Sequence, residues 1–327
     1  MKLHNKFTEL LHLSLPIVQA PMGGVAGPRL AAAVSNAGGL GLLPIWPMPP
    51  EQAARELKEL RQATSGVFGV NLNVAFGPLA HLDVALDLST PVIHFFWGDC
   101  TAFVARAKSK GAIVMATVAS GSEARRAHDA GVDVLVAQGL EAGGHVWGKI
   151  GLAALVPTVV DACGGLPVIA AGGIADGRGL ASALMLGASG AMVGTALLVA
   201  DECASHPRYK QAILSAKEGD TAYGTLFDAE WPGAPCRVLR NSTLRAWEEA
   251  GSPPSGKRPG ENDIIARGAA NVPIPRYSVQ PPSTEVEGDV EAMALYAGQG
   301  VGLVTASAPA AGIIAKIARD AETLLST

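Results

Sequence analysis

The hydrophobic residues of this chain fall into short continuous runs, and the stretches between the runs have helical spacing. The runs predict β-strands at 16–20, 39–43, 67–73, 91–96, 112–118, 132–138, 167–173 and 190–195. Between them, apolar residues recur three and four positions apart and several stretches end at glycine, which is typical of amphipathic helices. Strands that are apolar on both faces are typical of parallel sheets covered by helices on both sides.

Eight strand–helix units predict an α/β fold, and a (β/α)8 TIM barrel in particular. A doubly wound open sheet is the alternative, because it produces the same alternation. Polar or glycine-rich stretches follow at least six of the eight predicted strands. An open sheet concentrates its ligand at one switch point, so this distribution favours the barrel.

The chain divides into three parts by composition. Residues 1–216 carry the repeating pattern and predict the barrel core. Residues 217–285 are rich in proline, glycine and charge, which predicts an irregular excursion, or substrate-side subdomain, folded over the barrel mouth. Residues 286–327 return to helical spacing and predict C-terminal helices that pack back on the barrel.

Composition and charge argue against several classes of protein. The 327 residues carry a formal net charge of −4 and no basic block, which argues against nucleic-acid or membrane-surface partners. The amino terminus lacks the pattern of a signal peptide, and no apolar run is long enough to span a membrane. The four cysteines are far apart, without a C-x-x-C pair, which indicates reduced thiols in a cytoplasmic protein rather than a metal site. An oligomer is possible but is not readable from these features.

Two glycine-rich stretches follow the last two predicted strands. "AAGGI" contains Gly172 and Gly173, and "VGTAL" contains Gly194 and Thr195. Bare backbone N–H groups and a hydroxyl near helix N-termini favour a phosphate, and barrels often hold phosphate at these two loops. Tight strand-to-helix turns, which also favour glycine, are the alternative.

Other strand ends carry further candidate groups. "APMGG" at 20–24 would let the backbone approach a flat ring, or it forms a simple turn. Asn71 needs a partner, either a bound heterocycle or nearby backbone. His145 follows the sixth strand in "QGLEAGGHVWG", four residues after Glu141. An imidazole in such a loop is often a packing residue, but a neutral one on this face of a barrel could take a proton from carbon.

Five motifs, in order, resemble the nitronate monooxygenase family, formerly called 2-nitropropane dioxygenase. They are "PIVQAPMGGVAGPRLAAAVSNAGGLGLL", "GVNLNV", "GVDVLVAQGLEAGGH", "PVIAAGGIADGRGLASALMLGASGAMVGTALL" and "YAGQGVGL". The resemblance runs over 15–215 and resumes at 296–303. It implies a (β/α)8 flavoprotein that holds FMN without a covalent link.

The resemblance also implies roles for individual residues, with His145 matching the catalytic base of the family. The implied cofactor-binding residues are Ala20, Pro21, Met22 and Gly23 beside the flavin ring, Asn71 and Gln138 as hydrogen-bonding groups, Gly143 and Gly144 along the pocket, Gly172, Gly173, Gly194 and Thr195 at the phosphate, and Gln299 and Gly300 near the ring or the ribityl chain.

The substrate side is expected beside His145. Trp97 and Trp147 each follow a strand-end loop, and His94 is close to Trp97 in sequence. We expect at least one of the two indoles to wall the substrate pocket; packing of both beneath the excursion is the alternative. "VWG" follows "GGH" where the family commonly has a short "RG", which predicts a bulkier rim.

The implied activity is the FMN-dependent oxidation of alkyl nitronates or nitroalkanes by O2, which yields a carbonyl compound and nitrite. The implied partners are therefore these small molecules and O2. An NAD(P)H-dependent flavin reductase of the same barrel family, acting on enoyl-ACP or quinones, is the first alternative. A non-catalytic barrel that binds flavin or a sugar phosphate is the second, because a fold alone does not specify an activity.

Overall fold

The structure, a computed structural model, describes residues 3–326 and confirms the (β/α)8 barrel. Each barrel strand overlaps one of the eight hydrophobic runs. The strands are β1 (Ile17–Gln19), β2 (Gly41–Pro44), β3 (Phe68–Asn73), β4 (Val92–Phe96), β5 (Ile113–Val118), β6 (Val134–Gln138), β8 (Val168–Ala171) and β9 (Gly190–Val193). All pairs are parallel, in the order β1-β9-β8-β6-β5-β4-β3-β2. A further short strand, β7 (Gly144–His145), lies outside this sheet.

Gln19 closes the barrel between β1 and β2. Its backbone N–H donates to the carbonyl of Leu40 at 2.9 Å, and the Leu40 N–H donates to the carbonyl of Ile17 at 2.9 Å. The buried Gln19 side chain bonds both backbone groups of Leu42: Oε1 accepts from the N–H at 3.1 Å and Nε2 donates to the carbonyl at 3.0 Å. A side-chain amide thus continues the ladder beyond the three-residue strand β1.

Helices follow the strands and cover the outside of the barrel. Proline begins α2, α3 and α10, positions where its missing N–H has no helical partner to lose. The helices are α1 (Lys6–Leu11), α2 (Pro28–Asn36), α3 (Pro50–Ala63), α4 (Leu79–Asp87), α5 (Thr101–Lys108), α6 (Gly121–Asp129), α7 (Leu152–Ala162), α8 (Gly177–Met185), α9 (Thr195–Leu198), α10 (Pro207–Ser215), α11 (Ser242–Glu249) and α12 (Ala310–Leu325). Within residues 3–326, no helix has the length and apolar character needed to cross a membrane.

Apolar side chains fill one end of the barrel. Phe7 and Leu11 of α1 pack in one cluster with Val92 and Val134, which stand at the beginnings of their strands. This packing closes the N-terminal end, so a ligand must enter at the C-terminal ends of the strands, as is usual for the fold.

The segment 217–285, expected to be irregular, supplies most of the strands of two small antiparallel sheets. β10 (Thr221–Gly224) and β11 (Cys236–Leu239) form one sheet with β7. β12 (Ile264–Arg267) pairs with β13 (Pro273–Pro275) and β14 (Glu287–Gly288) in the other. The hydrophobic pattern missed them because strands of two to four residues are too short to show a period.

The described part of the tail, residues 286–326, contains one α-helix, α12, where C-terminal helices were expected. Val290–Ala292 and Gln299–Leu303 are 3-10 turns instead. α12 buries Ile314 and Ile317 and packs against α8 and α2 on the outside of the barrel.

A buried arginine holds the excursion together. Arg258 pairs with Asp228 at 2.8 Å and with Glu261 at 2.6 Å, and its guanidinium lies 4.4 Å from the ring centroid of Tyr277. The carbonyl of Asp228 accepts the N–H of Trp231 at 3.0 Å. The ion pairs therefore fix the turn from which Trp231 reaches the barrel mouth.

The close packing of α2 on β2 yields a stability prediction. A Cβ on Gly41 would lie 2.0 Å from the carbonyl oxygen of Ala31, which is backbone and cannot rotate away. Gly41→Ala should therefore lower the free energy of unfolding by about 1–3 kcal/mol or more. Gly312→Ala is the matched control, because nothing lies within 4 Å of its added Cβ in α12. Helix propensity should make it neutral or stabilising by about 0.5–1 kcal/mol. Denaturant unfolding of both variants measures the contrast, and equal effects would refute it.

Candidate active site

A deep cavity of about 790 Å3 opens at the C-terminal ends of the barrel strands. Its volume is within the range of about 300–1,000 Å3 that is usual for small-molecule sites. Strand ends and their loops form most of the wall, and the excursion adds residues 230–231 and 278–281. The site residues expected from the sequence that line it are Ala20, Pro21, Met22, Gly23, Asn71, His94, Gln138, Gly143, Gly144, His145, Gly172, Gly173, Gly194, Thr195 and Gly300.

Gln299 was expected near the cofactor, but its side chain is exposed and outside the cavity lining. Its N–H donates to the carbonyl of Glu141 at 2.9 Å, which directs the backbone inward and the side chain outward. The Glu141 carboxylate accepts the N–H of Leu152 at 2.9 and 3.0 Å and so caps α7. Only Gly300 of the expected tail pair lines the cavity.

At least one of Trp97 and Trp147 was expected to wall the pocket, and neither is among the lining residues of this cavity. Trp147 turns away, because its Nε1–H donates to Glu123 Oε2 at 3.0 Å. Trp97 packs against residues of the lining. Its ring centroid is 5.9 Å from that of His145 and 4.6 Å from that of Trp231. The indoles that do line the cavity are those of Trp46 and Trp231.

Glycines form a backbone cradle at one part of the cavity. Gly172 and Gly173 adopt φ of +125° and +68°, which favour glycine. A Cβ on Gly300 would lie 2.4 Å from the carbonyl oxygen of Gly173, and a Cβ on Gly143 would lie 2.4 Å from the nitrogen of Gly298. Backbone packs directly on backbone here, an arrangement suited to binding an anion through N–H groups.

Thr195 adds a hydroxyl to this cradle. Its Oγ1 accepts the N–H of Gly298 at 3.0 Å, so the hydroxyl hydrogen remains available to donate. Gly194, beside it, brings the end of β9 close to β1: a Cβ there would lie 3.2 Å from the Cβ of Ala20.

Asn71, His94 and Thr117 form a buried network across β3, β4 and β5. Asn71 Nδ2 donates to His94 Nδ1 at 3.2 Å, and His94 Nε2 lies 2.9 Å from Thr117 Oγ1. These bonds assign the proton of the neutral ring to Nε2 and leave Asn71 Oδ1 as the atom able to accept from a ligand. Burial lowers the pKa of His94 to about 3, so the ring is neutral.

His145 is placed by strand pairing. Its short strand β7 pairs with β11, with His145 opposite Cys236 and Gly144 opposite Arg237. The N–H of Val146 extends the pairing by donating to the carbonyl of Pro235 at 2.9 Å. The excursion thus backs the loop that carries the imidazole.

The His145 ring lies among aromatic side chains. Its centroid is 4.3 Å from that of Trp231 and 5.6 Å from that of Tyr296. Burial lowers its pKa to about 4, against a smaller opposing effect of the backbone of Pro235 and Ala234. The hydroxyl of Tyr296 donates a hydrogen bond to the carbonyl of Val279 at 2.8 Å. Toward His145 Nε2, 3.4 Å away, its oxygen can therefore only accept.

The side chain of Gln138, at the end of β6, holds the His145 loop by two hydrogen bonds, a role that the sequence did not reveal. Its Oε1 accepts the N–H of Trp147 at 2.9 Å and its Nε2 donates to the carbonyl of His145 at 3.1 Å. One Nε2 hydrogen remains for a ligand.

The aromatic residues Trp46, Phe76, Trp231 and Tyr296 also line the cavity and were missed. Their contacts join segments far apart in the chain, which no local pattern encodes. Aromatic residues make up only 5% of the sequence. An aromatic residue such as Trp231 in a Pro- and Gly-rich segment is therefore uncommon, and this was the one sequence signal that could have indicated a place in the site.

The fold and cavity define a (β/α)8-barrel protein whose ligand site combines glycine-rich strand-end loops with a buried, neutral imidazole. The chain belongs to the nitronate monooxygenase family, whose model matches residues 4–81 and 78–320. It is therefore an oxidoreductase, which sets aside the non-catalytic alternative.

Individual proteins similar to this chain have different activities. A Mycobacterium tuberculosis (3aS,4S,5R,7aS)-5-hydroxy-7a-methyl-1-oxo-octahydro-1H-indene-4-carboxyl-CoA dehydrogenase is 36% identical over 251 residues, covering 76% of this chain and 69% of that protein. The structure of FabK from Thermotoga maritima has a TM-score of 0.85 at 33% identity, covering 99% and 97% of the two chains. Nitroalkane oxidase from Streptomyces ansochromogenes has a TM-score of 0.80 at 30% identity, covering 98% and 99%.

The neutral His94 yields a pH prediction. The unfolded chain takes up a proton at this histidine near pH 6.5, whereas the folded protein does so only near pH 3. Its contribution to stability is therefore present above pH 6.5 and is lost as the pH falls, by up to about 1.4 kcal/mol per pH unit. His94→Gln should flatten the fall in unfolding free energy between pH 7 and 4.5. Denaturant unfolding at several pH values gives both curves, and parallel curves would contradict the assignment.

Proposed function

We propose that the protein oxidises nitronates with O2 to a carbonyl compound and nitrite, using FMN. The observation that carries the proposal is the neutral imidazole of His145 on the wall of an apolar cavity that also contains the glycine cradle. Membership of the nitronate monooxygenase family and the likeness to nitroalkane oxidase support this reaction.

The residues present fit FMN. The cradle at Gly172 and Gly173, with the free hydroxyl hydrogen of Thr195, suits the phosphate. Asn71 Oδ1 can accept a hydrogen bond from a ring N–H, and Met22 offers an apolar surface for the flat ring system. When bound, the flavin supplies the electron transfer between substrate and O2.

His145 would bind and orient the reacting group. Its Nε2–H can donate to a nitronate oxygen in place of Tyr296, only a weak partner at 3.4 Å. An anion beside the ring favours its protonated form and raises its pKa from about 4. Trp231 and Tyr296 exclude water around the pair, which strengthens that interaction. With a neutral nitroalkane, the ring would serve as the base in its other neutral tautomer, with the proton on Nδ1 and the lone pair of Nε2 free to take the α-proton.

An NAD(P)H-dependent reductase or dehydrogenase is the second candidate, favoured by the likeness to FabK and to the Mycobacterium tuberculosis dehydrogenase. The lining of the cavity weighs against it. Within residues 3–326, no lysine or arginine lines the cavity, so once the glycine cradle holds the FMN phosphate, the diphosphate of NAD(P)H would find no cationic partner in the lining.

Two anaerobic titrations of the purified holoprotein distinguish the candidates. An alkyl nitronate should bleach the flavin absorption near its visible maximum, whereas NADH and NADPH should leave it unchanged over the same time. Rapid bleaching by either nicotinamide, with none by the nitronate, would replace the proposed function with the second candidate.

Thr195 provides a test of FMN placement. Thr195→Asp sets a negative charge against the phosphate and should weaken FMN binding by about 100-fold or more. Thr195→Asn is the matched control, because asparagine has nearly the same shape as aspartate but no charge. This variant should retain most of the FMN. Flavin content after gel filtration and the FMN dissociation constant of the refolded apoprotein measure the contrast. Full occupancy in the Asp variant would place the phosphate elsewhere.

His145 should matter differently for the two forms of the substrate. His145→Asn should slow turnover of a neutral nitroalkane by about 10²–10⁴-fold, the usual range for general base catalysis. A nitronate is already deprotonated and should keep much of its rate, with FMN still bound. His12→Asn, an exposed left-handed helix cap that suits asparagine, is the control. Equal losses on both substrates would mean that His145 only binds the anion, and undiminished turnover of both would remove it from the mechanism.

A further inference from the structure

Three aromatic side chains from different segments form one continuous surface of the cavity, here called the aromatic wall. Trp46 follows β2, Phe76 follows β3 and Trp231 belongs to the excursion. Trp46 and Phe76 stack with centroids 5.1 Å apart and planes 13° from parallel. Trp231 meets Phe76 edge to face at 4.9 Å and Trp46 at 6.1 Å. The wall thus offers aromatic faces and edges to a flat ligand.

The aromatic wall runs from the reacting side chain to the entrance. Trp231 is buried and lies 4.3 Å from the His145 ring, centroid to centroid. Phe76, at the other end, is 45% exposed although it is stacked on Trp46. The inner edge of Trp46 packs 3.4 Å from where a Cβ of Gly23 would lie, in the turn after β1. A substituent that extends outward from a nitro group near His145 therefore meets the wall along its length.

The charges of the cavity lining also favour an uncharged ligand substituent. In the part of the chain that the structure describes, no lysine or arginine lines the cavity. Among the described residues, Glu230 is the one carboxylate in the lining, and it already accepts hydrogen bonds from Ser278 Oγ at 2.9 Å and from the N–H of Val279 at 2.8 Å. A carboxylate on the substrate would lose water without gaining a cation, and burying such a charge unpaired is costly.

From these contacts we propose that the aromatic wall makes the enzyme selective for nitronates with an uncharged aromatic substituent, and that the cavity rejects nitronates that carry a carboxylate. This inference rests on the proposed function, since it specifies the substrate class of the same site. The wall acts as a specificity surface, and His145 faces the reacting end of the molecule.

A kinetic series tests the selectivity on the holoenzyme. The substrates are the nitronates of 1-nitropropane, 2-phenyl-1-nitroethane and 3-nitropropionate. We expect kcat/KM for the phenyl compound to exceed that for the propyl compound by about tenfold, and the carboxylate compound to fall about tenfold below it. Comparable values for the phenyl and propyl compounds, or a preference for the carboxylate, would overturn the inference while leaving the proposed function intact.

A binding measurement keeps the test independent of turnover. Nitrobenzene has no α-proton, and 4-nitrobenzoate adds only a carboxylate to it. Calorimetric titration of the holoprotein should give a dissociation constant for nitrobenzene at least about tenfold below that for 4-nitrobenzoate. If none of the nitronates is oxidised but this difference is found, the proposed function fails and the selectivity of the site stands. Equal or reversed affinities overturn the inference.

Phe76 is the member of the wall that can be changed with least risk to the fold, because it is partly exposed. Phe76→Ala should lower the phenyl-to-propyl ratio of kcat/KM by about five- to tenfold. Leu79→Ala is the matched control: Leu79 is 48% exposed at the start of α4 and outside the lining, so the ratio should not change. Phe76→Arg should raise the affinity for 4-nitrobenzoate relative to nitrobenzene. An unchanged ratio in Phe76→Ala, or an equal change in Leu79→Ala, would show that the wall does not select the substituent.

Discussion

The pairing of β7 with β11 is the constraint on which the site depends. Two residues of the barrel loop, Gly144 and His145, join a sheet that otherwise belongs to the excursion. Arg237, on the same strand β11, donates to the carbonyl of Leu140 at 2.9 Å and ties the start of the loop as well. Because Trp231 precedes β11 by only a few residues, the same pairing sets the distance between the indole and the imidazole. Neither the barrel nor the excursion would position the imidazole alone.

Burial of His145 makes its charge depend on what is bound. A ring surrounded by Trp231, Trp97 and Tyr296 is neutral in the absence of a ligand, because little water or opposite charge stabilises the imidazolium. An anionic ligand supplies the missing charge and a hydrogen-bond acceptor at once. The site therefore responds more strongly to an anion than a solvated histidine would, since the interaction occurs in a medium of low polarity. His94, buried in the hydrogen-bonded network with Asn71 and Thr117, has its proton fixed by partners within the protein and is not free to respond similarly.

The sequence predicted the parts of the site that local pattern controls, and it missed the parts that depend on distant contacts. Hydrophobic runs located the eight strands, and residues that follow the strands, among them Gly172 and Thr195, line the cavity. The position of Trp97 could not be predicted from the sequence. Its backbone adopts a left-handed φ of 64°, which is unusual for a bulky residue and depends on its tertiary surroundings. Trp231 and Tyr296 contact His145 although they are 86 and 151 positions away in the sequence, so no local periodicity could predict these contacts. The same distance explains why the excursion was expected to be irregular: β11 is recognisable as a strand only through its pairing with β7 and β10.

The two sides of the cavity are built by different physical means, backbone amides on one side and aromatic side chains on the other. On the barrel side, Gly300 packs so closely on Gly173 that a side chain has no room, and Gly172 and Gly173 adopt φ values that favour glycine, so this part of the lining offers a ligand backbone amide. On the excursion side, Trp231 offers apolar surface from a segment whose own core, with Phe227 and Tyr277, is separate from the barrel core. Substitutions in the excursion can therefore reshape the substrate surface without disturbing the cradle. Proteins similar to this chain include both a nitroalkane oxidase and a carboxyl-CoA dehydrogenase. A division of this kind would allow a barrel to keep its glycine cradle while the aromatic side of the cavity varies.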